Sequence, residues 1–389
     1  MKQGWEIKKL GEVCEKASSN ISQNQLVEEI GEFSIYGAGG FIKKISFYHR
    51  DKDYISIVKD GAGIGRISLL EAYSSVIGTL QYLMPKKGID LKYLYYFLSS
   101  VDFLRYKNGS TIPHIYFKEY SEEPILIPPI PEQQRIVAIL DEASDSIARA
   151  KANAEQNLKN ARELFESYLQ FTFEKTGEGW ETCSISQLCE IKHGYAFEGE
   201  YFSPNGEYVL LTPGNFYESG GFRVRGEKQK YFIGQIPADY ILNEGDLLVA
   251  MTEQAAGLLG SPIIVPSSNR YLHNQRLGLV IPKPGIQWDN NFFYHLFNTP
   301  KVRKTLHETG TGIKVRHTSP TKIGQVMIAY PNSLIEQRAI VKRLDTLSNQ
   351  TKKLEAIYQQ KIADLEELKK SLLQKAFNGE LVSEHDFVD

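Results

Sequence analysis

The sequence contains few cysteines, and Cys14, Cys183 and Cys189 form no Cys-x-x-Cys pair. Three thiols cannot all be bridged to one another, so a small fold held together by disulfides is excluded. This cysteine usage is typical of a reduced compartment, and we predict a cytoplasmic protein.

Long apolar runs are also missing. Residues 1–9 have no apolar stretch after their charged side chains, and this argues against a signal peptide. The most apolar window, residues 247–266, contains Glu253, Gln254 and two prolines. Because a helix that crosses a bilayer needs about 20 predominantly apolar residues, no membrane span is predicted.

Charge of one sign is not in excess. Lys and Arg number 45 and Asp and Glu number 47, which gives a formal net charge of −2. This balance excludes a uniformly basic coat but leaves room for a local basic groove, and it does not distinguish nucleic acid from protein as a partner. A chain of 389 residues is long enough for two domains or three.

Motifs that carry catalysis are absent as well. The sequence has no P-loop and no HExxH pair. Residues 6–8 and 190–192 have the Glu-x-Lys half of a nuclease site without a partnering Pro-Asp. We therefore predict a protein that binds and does not catalyse, with a divergent nuclease as the enzymatic alternative. No metal site is predicted, because metal-ligand spacing is lacking among the eight histidines: His49, His114, His193, His273, His295, His307, His317 and His385.

What the sequence does contain is an internal repeat. Gly4-Trp5-Glu6 returns as Gly179-Trp180-Glu181, and residues 132–141 align without gaps to residues 336–345. The match continues about thirty residues later at the same offset, so the segment in between has one length in both copies. The repeat predicts the order lobe, helix, lobe, helix.

Both helical segments show apolar residues at steps of three and four over about four heptads, which is typical of a coiled coil. Each runs about 40 residues without Gly or Pro, so each helix would span roughly 60 Å. With a lobe between them, an antiparallel pair is predicted, either as a plain strut or as a molecular ruler. The predicted seam residues are Ile136, Leu140, Ile147, Ala154, Leu164, Ile340, Leu344, Leu347, Leu354, Leu365 and Leu372.

Short apolar runs separated by Gly, Pro and Asn predict lobes of α+β character, with mixed helices and strands. The predicted divisions are residues 1–130 for the first lobe, 131–175 for the first helix, 176–330 for the second lobe, and 331–389 for the second helix and tail. The glycine-rich stretch at residues 59–66 resembles a loop that cradles phosphate but lacks its spacing, and the alternative is a turn between strands.

Two polar, glycine-bearing stretches near the ends of the lobes, residues 109–118 and 310–318, combine residue types that suit contacts to phosphates and base edges. The loop at residues 59–66, Arg276, and the basic group at residues 301–304 are further candidates. The candidate contact residues are Lys59, Gly61, Gly63, Arg66, Gly109, Ser110, Thr111, His114, Tyr116, Lys118, Arg276, Lys301, Arg303, Lys304, Gly310, Thr311, Lys314, Arg316, His317 and Thr318.

These motifs resemble those of a known family. Residues 128–137 (PPIPEQQRIV), 109–118 (GSTIPHIYFK) and 372–381 (LLQKAFNGEL) look like segments of the specificity subunit of type I restriction-modification systems. The resemblance covers essentially the whole chain. The second lobe departs from it, because residues 331–337 lack the double proline and Ile313-Lys314-Val315 replaces Ile-Pro-His.

The resemblance implies two target-recognition domains, each reading one half of a split site in double-stranded DNA. It implies half-sites about one helical turn apart, ~34–36 Å, with the gap set by the helices. The implied partners are two methyltransferase subunits that carry S-adenosylmethionine, and a restriction or motor subunit that uses ATP and Mg²⁺. This chain itself would hold no cofactor. The implied role is DNA methylation and phage defence, and the alternatives are a methyltransferase system without a motor or a coiled-coil scaffold that binds protein.

Overall fold

The computed structural model describes residues 4–174, 177–254 and 257–381. Helices and strands alternate along the chain, which confirms the mixed fold class. Contacts divide the chain into two compact units, Met1–Gln156 with Tyr358–Asp389, and Asn157–Ile357. Each unit therefore combines one lobe with a part of each long helix. The predicted division between residues 175 and 176 lies outside the described residues.

The first lobe, described without a gap from residue 4, builds three sheets. Two outer strands pair as β1-β9, a four-stranded antiparallel sheet has the order β2-β8-β5-β6, and a third sheet has the order β4-β3-β7. Helix α2 packs on β5, β6 and β8 of the four-stranded sheet. The elements are β1 Glu6–Lys9, α1 Leu10–Val13, β2 Cys14–Ser18, β3 Phe33–Gly37, β4 Gly40–Ile45, β5 Tyr54–Val58, β6 Ile67–Leu70, β7 Ser74–Val76, β8 Leu80–Pro85, α2 Leu91–Ser100, α3 Phe117–Tyr120 and β9 Pro124–Ile127.

The second lobe follows the long helix α4, Ile130–Glu174. Its sheets have the orders β10-β21, β11-β19-β15-β17, β12-β14-β13-β18 and β16-β20. The elements are β10 Trp180–Ser184, α5 Ile185–Leu188, β11 Cys189–His193, β12 Phe202–Ser203, β13 Tyr208–Leu210, β14 Tyr231–Phe232, β15 Leu247–Ala250, β16 Thr252–Glu253, β17 Pro262–Ile264, β18 Tyr271–Leu272, β19 Leu277–Pro282, α6 Asn290–Phe297, α7 Pro300–Thr309, β20 Arg316–His317, α8 Pro320–Gly324 and β21 Met327–Pro331, before the long helix α9, Leu334–Phe377.

The repeat in the sequence is a repeat in the structure. In the first lobe Cys14 of β2 pairs with Pro85 of β8, and in the second lobe Cys189 of β11 pairs with Pro282 of β19. As α2 does in the first lobe, α6 packs on the central sheet of the second lobe, against β15 and β17. One supersecondary plan therefore serves both lobes.

Local sequence features mark the start and the end of the long helices. Pro131 lies in the first turn of α4, where its missing N–H leaves no hydrogen bond unmade, and no Gly or Pro follows before residue 174. Helix α9 ends at Phe377, and Gly379 adopts φ +77°, the left-handed conformation that commonly terminates helices. The helices have 45 and 44 residues.

Within each unit the two helical segments run antiparallel. In the first unit, Ile136 near the start of α4 shares a core cluster with Leu373 near the end of α9, while Lys151 pairs with Glu366 at 2.6 Å. In the second unit, Arg162 pairs with Glu355 at 3.0 Å, and Leu169 shares a cluster with Ile340 and Leu344 near the start of α9.

The buried stripe of α4 has a seven-residue period through Leu140, Ile147, Ala154 and Ala161. Its alanines leave room for close approach of the facing helix. Two predicted seam residues depart from the stripe: Leu164 is 50% exposed and Leu354 is 38% exposed. The heptad explains the difference, because it runs through Ala161 in α4 and through Leu344 and Thr351 in α9. The other predicted seam residues are buried or half-buried: Ile136, Leu140, Ile147, Ala154, Ile340, Leu344, Leu347, Leu365 and Leu372.

Candidate nucleic-acid interface

In the first lobe, the loop between β5 and β6 lies against the stretch at residues 108–116. The backbone N–H of Gly61 donates to the carbonyl of Pro113 at 2.8 Å, and that of Ile115 donates to the carbonyl of Lys59 at 2.9 Å. Gly61 has φ +95°, which suits glycine. The loop at residues 59–66 is therefore a turn between strands, and it forms one surface with the second candidate stretch.

The tip of this surface, residues 109–112, closes between Asn108 and His114, which exchange backbone hydrogen bonds of 2.8 and 2.9 Å. Gly109, at φ +81°, and the hydroxyl side chains of Ser110 and Thr111 are exposed there. This tip presents backbone groups and small hydroxyls to solvent, which is the chemistry that contacts to phosphates require.

Aromatic and cationic side chains flank the tip. Tyr116 is 46% exposed, and its ring packs edge-on against His114, with the rings 4.9 Å apart. The ammonium of Lys118 lies 5.4 Å from the centre of the Tyr116 ring. Arg66 is exposed and donates to the carbonyl of Ala38, and its guanidinium lies over Gly63, which has no side chain in the way. The positive charge of Lys59 is partly neutralised, since its ammonium forms an ion pair with the carboxylate of Asp60 at 2.9 Å.

The second lobe repeats the arrangement. Strand β16 pairs with β20, so that Thr252 faces His317 and Glu253 faces Arg316. The stretch at residues 311–317 is closed by backbone hydrogen bonds between Thr311 and His317. At its tip, Gly312 has φ +108° and Ile313 is fully exposed. The structure thus places both candidate stretches, one in each lobe, beside the loop that follows a central strand.

Two of the predicted contact residues in this stretch turn inward. The guanidinium of Arg316 donates to the carbonyls of His307 and Gly310 and lies 3.7 Å from the Glu253 carboxylate. Thr318 is buried. The structure therefore corrects the assignment of both residues: Arg316 braces the stretch and Thr318 lies beneath it, while Thr311, Lys314 and His317 face solvent and Gly310 is half-buried.

Glu253 organises the loops of the second lobe. Its side chain is 1% exposed, and one carboxylate oxygen accepts hydrogen bonds of 2.8–3.0 Å from the backbone N–H groups of residues 257, 258 and 259. The other oxygen faces Arg316 and the imidazole of His307, 3.7 and 3.4 Å away. A buried carboxylate is tolerated there because backbone donors and a cation surround it.

Arg303 is half-buried and turns toward the protein. Its guanidinium donates to the carbonyls of Leu259 and Gly257 and to the Asn298 side chain. Burial lowers the pKa of Arg303 to about 10. Its neighbours Lys301 and Lys304 are exposed and line a different cavity of about 240 Å³. The predicted basic group at residues 301–304 is therefore split, and Arg303 is removed from the candidate contacts.

The second lobe also has a concave surface lined by four cations, a cleft that sequence reasoning did not find, apart from Arg276. It encloses about 800 Å³ and is lined by residues from four separate parts of the chain, among them two carboxylates, Glu218 and Glu253. Arg223, Arg225 and Lys230 come from residues 212–230, Arg276 comes from the turn before β19, Thr252 lies in β16, and Gln254 directly follows β16. We call this set of residues the basic cleft.

Local contacts shape the segment that carries Arg223 and Arg225 of the basic cleft. The buried amide of Asn215 accepts from the N–H of Thr212 at 3.0 Å and donates to the carbonyl of Arg223 at 3.3 Å. Gly214 has no side chain, which leaves space for the Arg225 guanidinium. One sequence signal could have identified this segment: Arg223, Arg225, Lys228 and Lys230 fall within eight residues.

His273, three residues before Arg276 in the chain, predicts a pH dependence for the second lobe. It is fully buried, its Nε2 lies 2.9 Å from the carbonyl of Leu277, and burial lowers its pKa to about 4. The unfolded chain therefore binds the proton more readily, so this residue stabilises the fold above pH 6.5 and loses that contribution as pH falls towards 4. Between pH 7 and 5 the loss is about 2 kcal/mol.

Urea unfolding at the two pH values checks this expectation. His273→Gln can still donate to Leu277 but does not titrate. We expect this variant to lose about 2 kcal/mol less stability than the parent chain between pH 7 and 5. Equal losses in the two proteins would show that His273 does not carry the effect.

Metal and membrane features are lacking in the part of the chain that the structure describes. No group of three or more His, Cys, Asp and Glu side chains there could hold a metal ion, and no helix there is long and apolar enough to cross a membrane. Burial raises the pKa of Cys14 and of Cys189 to about 12, so neither thiol is a ready thiolate ligand. His385 lies outside the described residues.

Comparison with known proteins gives one consistent family. Residues 2–160 and 177–366 match the family model of the type I restriction modification DNA specificity domain. The chain is 23% identical over 349 residues to the MjaVIII specificity subunit of Methanocaldococcus jannaschii, covering 84% of this chain and 79% of the relative. It is 26% identical over 216 residues to the EcoBI specificity subunit of Escherichia coli, covering 54% of this chain and 41% of the relative.

Solved structures agree with this match at the level of the fold. A chain from a structure of a type I R-M system superposes with a TM-score of 0.74 at 16% identity, covering 98% of this chain and 99% of that one. The HsdS subunit from Thermoanaerobacter tengcongensis superposes with a TM-score of 0.57 at 17% identity, covering 98% of each chain. The chain therefore shares the fold of these proteins.

Proposed function

The chain belongs to the type I restriction-modification DNA specificity family, and we propose that it recognises a bipartite DNA site, reading one half with each lobe. The observation that carries the proposal is the basic cleft. A chain with a net charge of −2 places four cations, from segments up to about fifty residues apart, on one concave surface, where they outnumber the two carboxylates of Glu218 and Glu253. Such local concentration is what binding to a polyanion requires.

The proposed contacts fall into two classes. Cations of the basic cleft neutralise phosphates and fix the register of the second lobe on the duplex. The exposed tips at residues 109–112 and 311–314 reach base edges in the major groove, since small polar groups and backbone N–H groups fit there. In the first lobe, Arg66, Tyr116 and Lys118 flank the tip and supply contacts to the sugar–phosphate backbone. In the second lobe, Gly310, Lys314 and His317 lie in the corresponding stretch.

Membership in the family supports the remaining proposed roles. We propose that the chain is non-catalytic and docks two methyltransferase subunits along its long helices. The cofactors then belong to the partners: S-adenosylmethionine to the methyltransferases, and ATP with Mg²⁺ to a motor-nuclease subunit. The antiparallel helical segments in each unit and the nearly equal lengths of the two helices, 45 and 44 residues, support a coiled-coil spacer that sets the gap between half-sites. The cytoplasmic location remains a prediction.

Methylome sequencing tests the proposal. A host that expresses this chain with its methyltransferase partner is compared with a host that lacks only this chain. We expect a split methylation motif that disappears when the chain is removed, and its two halves identify both half-sites. Methylation without any chain-dependent motif would contradict the proposal and favour a coiled-coil scaffold that binds protein. A motif that appears without restriction of unmethylated DNA would favour a methyltransferase system without a motor.

A further inference from the structure

A buried glutamine lies at the start of each long helix, at the junction with its lobe. Gln133 is 0% exposed, although glutamine is seldom buried. Its Oε1 accepts from the backbone N–H of Asp90 at 2.8 Å. Its Nε2 donates to the carbonyls of Gly88 and Pro128 at 3.1 and 2.9 Å. Every polar atom of this side chain is thus bonded to the main chain.

Gln337 makes the same three bonds in the second unit and is also 0% exposed. Its Oε1 accepts from the backbone N–H of Asp289 at 2.9 Å. Its Nε2 donates to the carbonyls of Gln287 and Pro331 at 2.9 and 3.0 Å. The two sites have the same geometry despite departures in the sequence around them, including the loss of the double proline before α9.

The bonded groups belong to different elements of the junction. Asp90 and Asp289 are the N-terminal caps of α2 and α6, the helices that pack on the central sheets. Pro128 and Pro331 end or follow the last strand before each long helix. Each glutamine therefore joins the lobe's helix, the connecting strand and the long helix at one point.

A second tie lies eight residues further along each long helix. Asp141 accepts from Lys92 at 2.7 Å and from the Tyr96 hydroxyl at 2.6 Å. Asp345 lies 2.9 Å from the Nε2 of His295. Eight residues correspond to about 12 Å along a helix, so each lobe is attached at two separated points. Two such points fix an angle, whereas one would allow rotation.

We propose that Gln133 and Gln337 are positioning residues that lock each lobe at one angle on its long helix, and thereby restrict recognition to a single gap between half-sites. This inference rests on the proposed function, because a gap has meaning only for a bipartite site. Neither glutamine touches DNA; each acts through the placement of its lobe. The polar bonds supply directional constraint that apolar packing at the same junction does not.

The test measures gap discrimination by the assembled methyltransferase complex. Gln133→Met and Gln337→Met keep the side-chain volume and remove all three bonds. Methylation rates are compared on duplexes whose gap is native, one base pair longer and one base pair shorter. We expect the preference for the native gap to fall by roughly tenfold or more in each variant, because small misplacements of reacting groups have large effects on rate. Gln134→Met, at the exposed neighbouring position, is the matched control and keeps the native preference.

A purely structural role would lower all three rates together and leave their ratio unchanged, and that result overturns the proposal. An altered half-site sequence in a variant's methylome also overturns it, because the lobe itself would then be disturbed. Gln133→Asn and Gln337→Asn, which shorten the reach but keep the amide, provide the measurement where the methionine variants fail to fold. If the parent chain confers no bipartite methylation motif, the proposed function fails. If the parent chain does confer such a motif but the variants keep the parent's ratio of rates on the three gaps, only the positioning role of the glutamines fails.

Discussion

Replacing Arg223, Arg225 and Lys230 together by alanine should weaken the binding of the assembled complex to its DNA site by roughly a hundredfold at 0.15 M salt. Each phosphate contact releases counterions, and each contributes about 0.9 to the slope of log affinity against log salt. The three side chains line one cleft, where Asn215 bonds the backbone carbonyl of Arg223 and Gly214 leaves space for the Arg225 guanidinium. We therefore expect the slope to become shallower by about 2.7 in a titration across salt concentrations.

Lys228→Ala is the matched control for this experiment. Lys228 is an exposed cation in the same segment but does not line the basic cleft. Its removal changes the net charge in the same direction without removing a proposed contact, so affinity and slope should stay close to those of the parent. An unchanged slope in the triple variant, with the complex still assembled, would remove the basic cleft from the DNA interface.

Local signals were sufficient to predict the helices. A helix is specified by residues three and four apart, and the aligned copies at residues 132–141 and 336–345 carried that period twice. The structure has α4 at Ile130–Glu174 and α9 at Leu334–Phe377. The residues at the contact between the two helices were less well predicted at Leu164 and Leu354. Apolar residues at steps of three and four are compatible with two neighbouring stripes along a helix, and the sequence alone does not say which stripe is buried. Only packing against the facing helix selects the one through Ala161 and Thr351.

Helical geometry also explains the error at Arg303. Residues 301–304 read as one basic group in the sequence, but successive residues of a helix point about 100° apart. Val302 and Leu306 form the buried face of α7, and Arg303 lies next to that face. Its guanidinium consequently reaches carbonyls of the loop at residues 257–259, while Lys301 and Lys304 remain exposed.

The basic cleft and the glutamine ties were beyond sequence reasoning for a different reason. The cleft joins residues 223–230 to Arg276 and to the loop after β15, and the Gln133 tie spans 43 residues to Asp90. The spacing of apolar residues along one helix or strand carries no information about contacts between residues that are so far apart in the sequence. The stretches that carry the tips, residues 109–118 and 310–318, could be found in the sequence, because glycines and hydroxyl residues occur near the end of each lobe.

Lengthening both long helices by three heptads should lengthen the recognised gap by about nine base pairs and leave both half-sites unchanged. Three added copies of residues 148–154 in α4 and of residues 363–369 in α9 preserve the seven-residue stripe. They also repeat the Lys151–Glu366 pair, which sets the facing positions. Twenty-one residues add about 31 Å of helix, close to the 34–36 Å of one DNA turn. The displaced lobe would therefore meet nearly the same face of the duplex.

One added heptad in each helix provides the contrast. It adds about 10 Å, or roughly three base pairs, and leaves the displaced lobe facing the duplex more than a quarter turn out of phase. We expect this complex to assemble but to methylate slowly at every gap, whereas the three-heptad complex recovers activity at the longer gap. Methylome sequencing of hosts that carry each variant measures both outcomes. If the three-heptad variant retains the native gap, the helices are a strut and another part of the complex sets the spacing. Recovery of activity at a gap that is longer by nearly one full turn of DNA is the result that only a ruler produces.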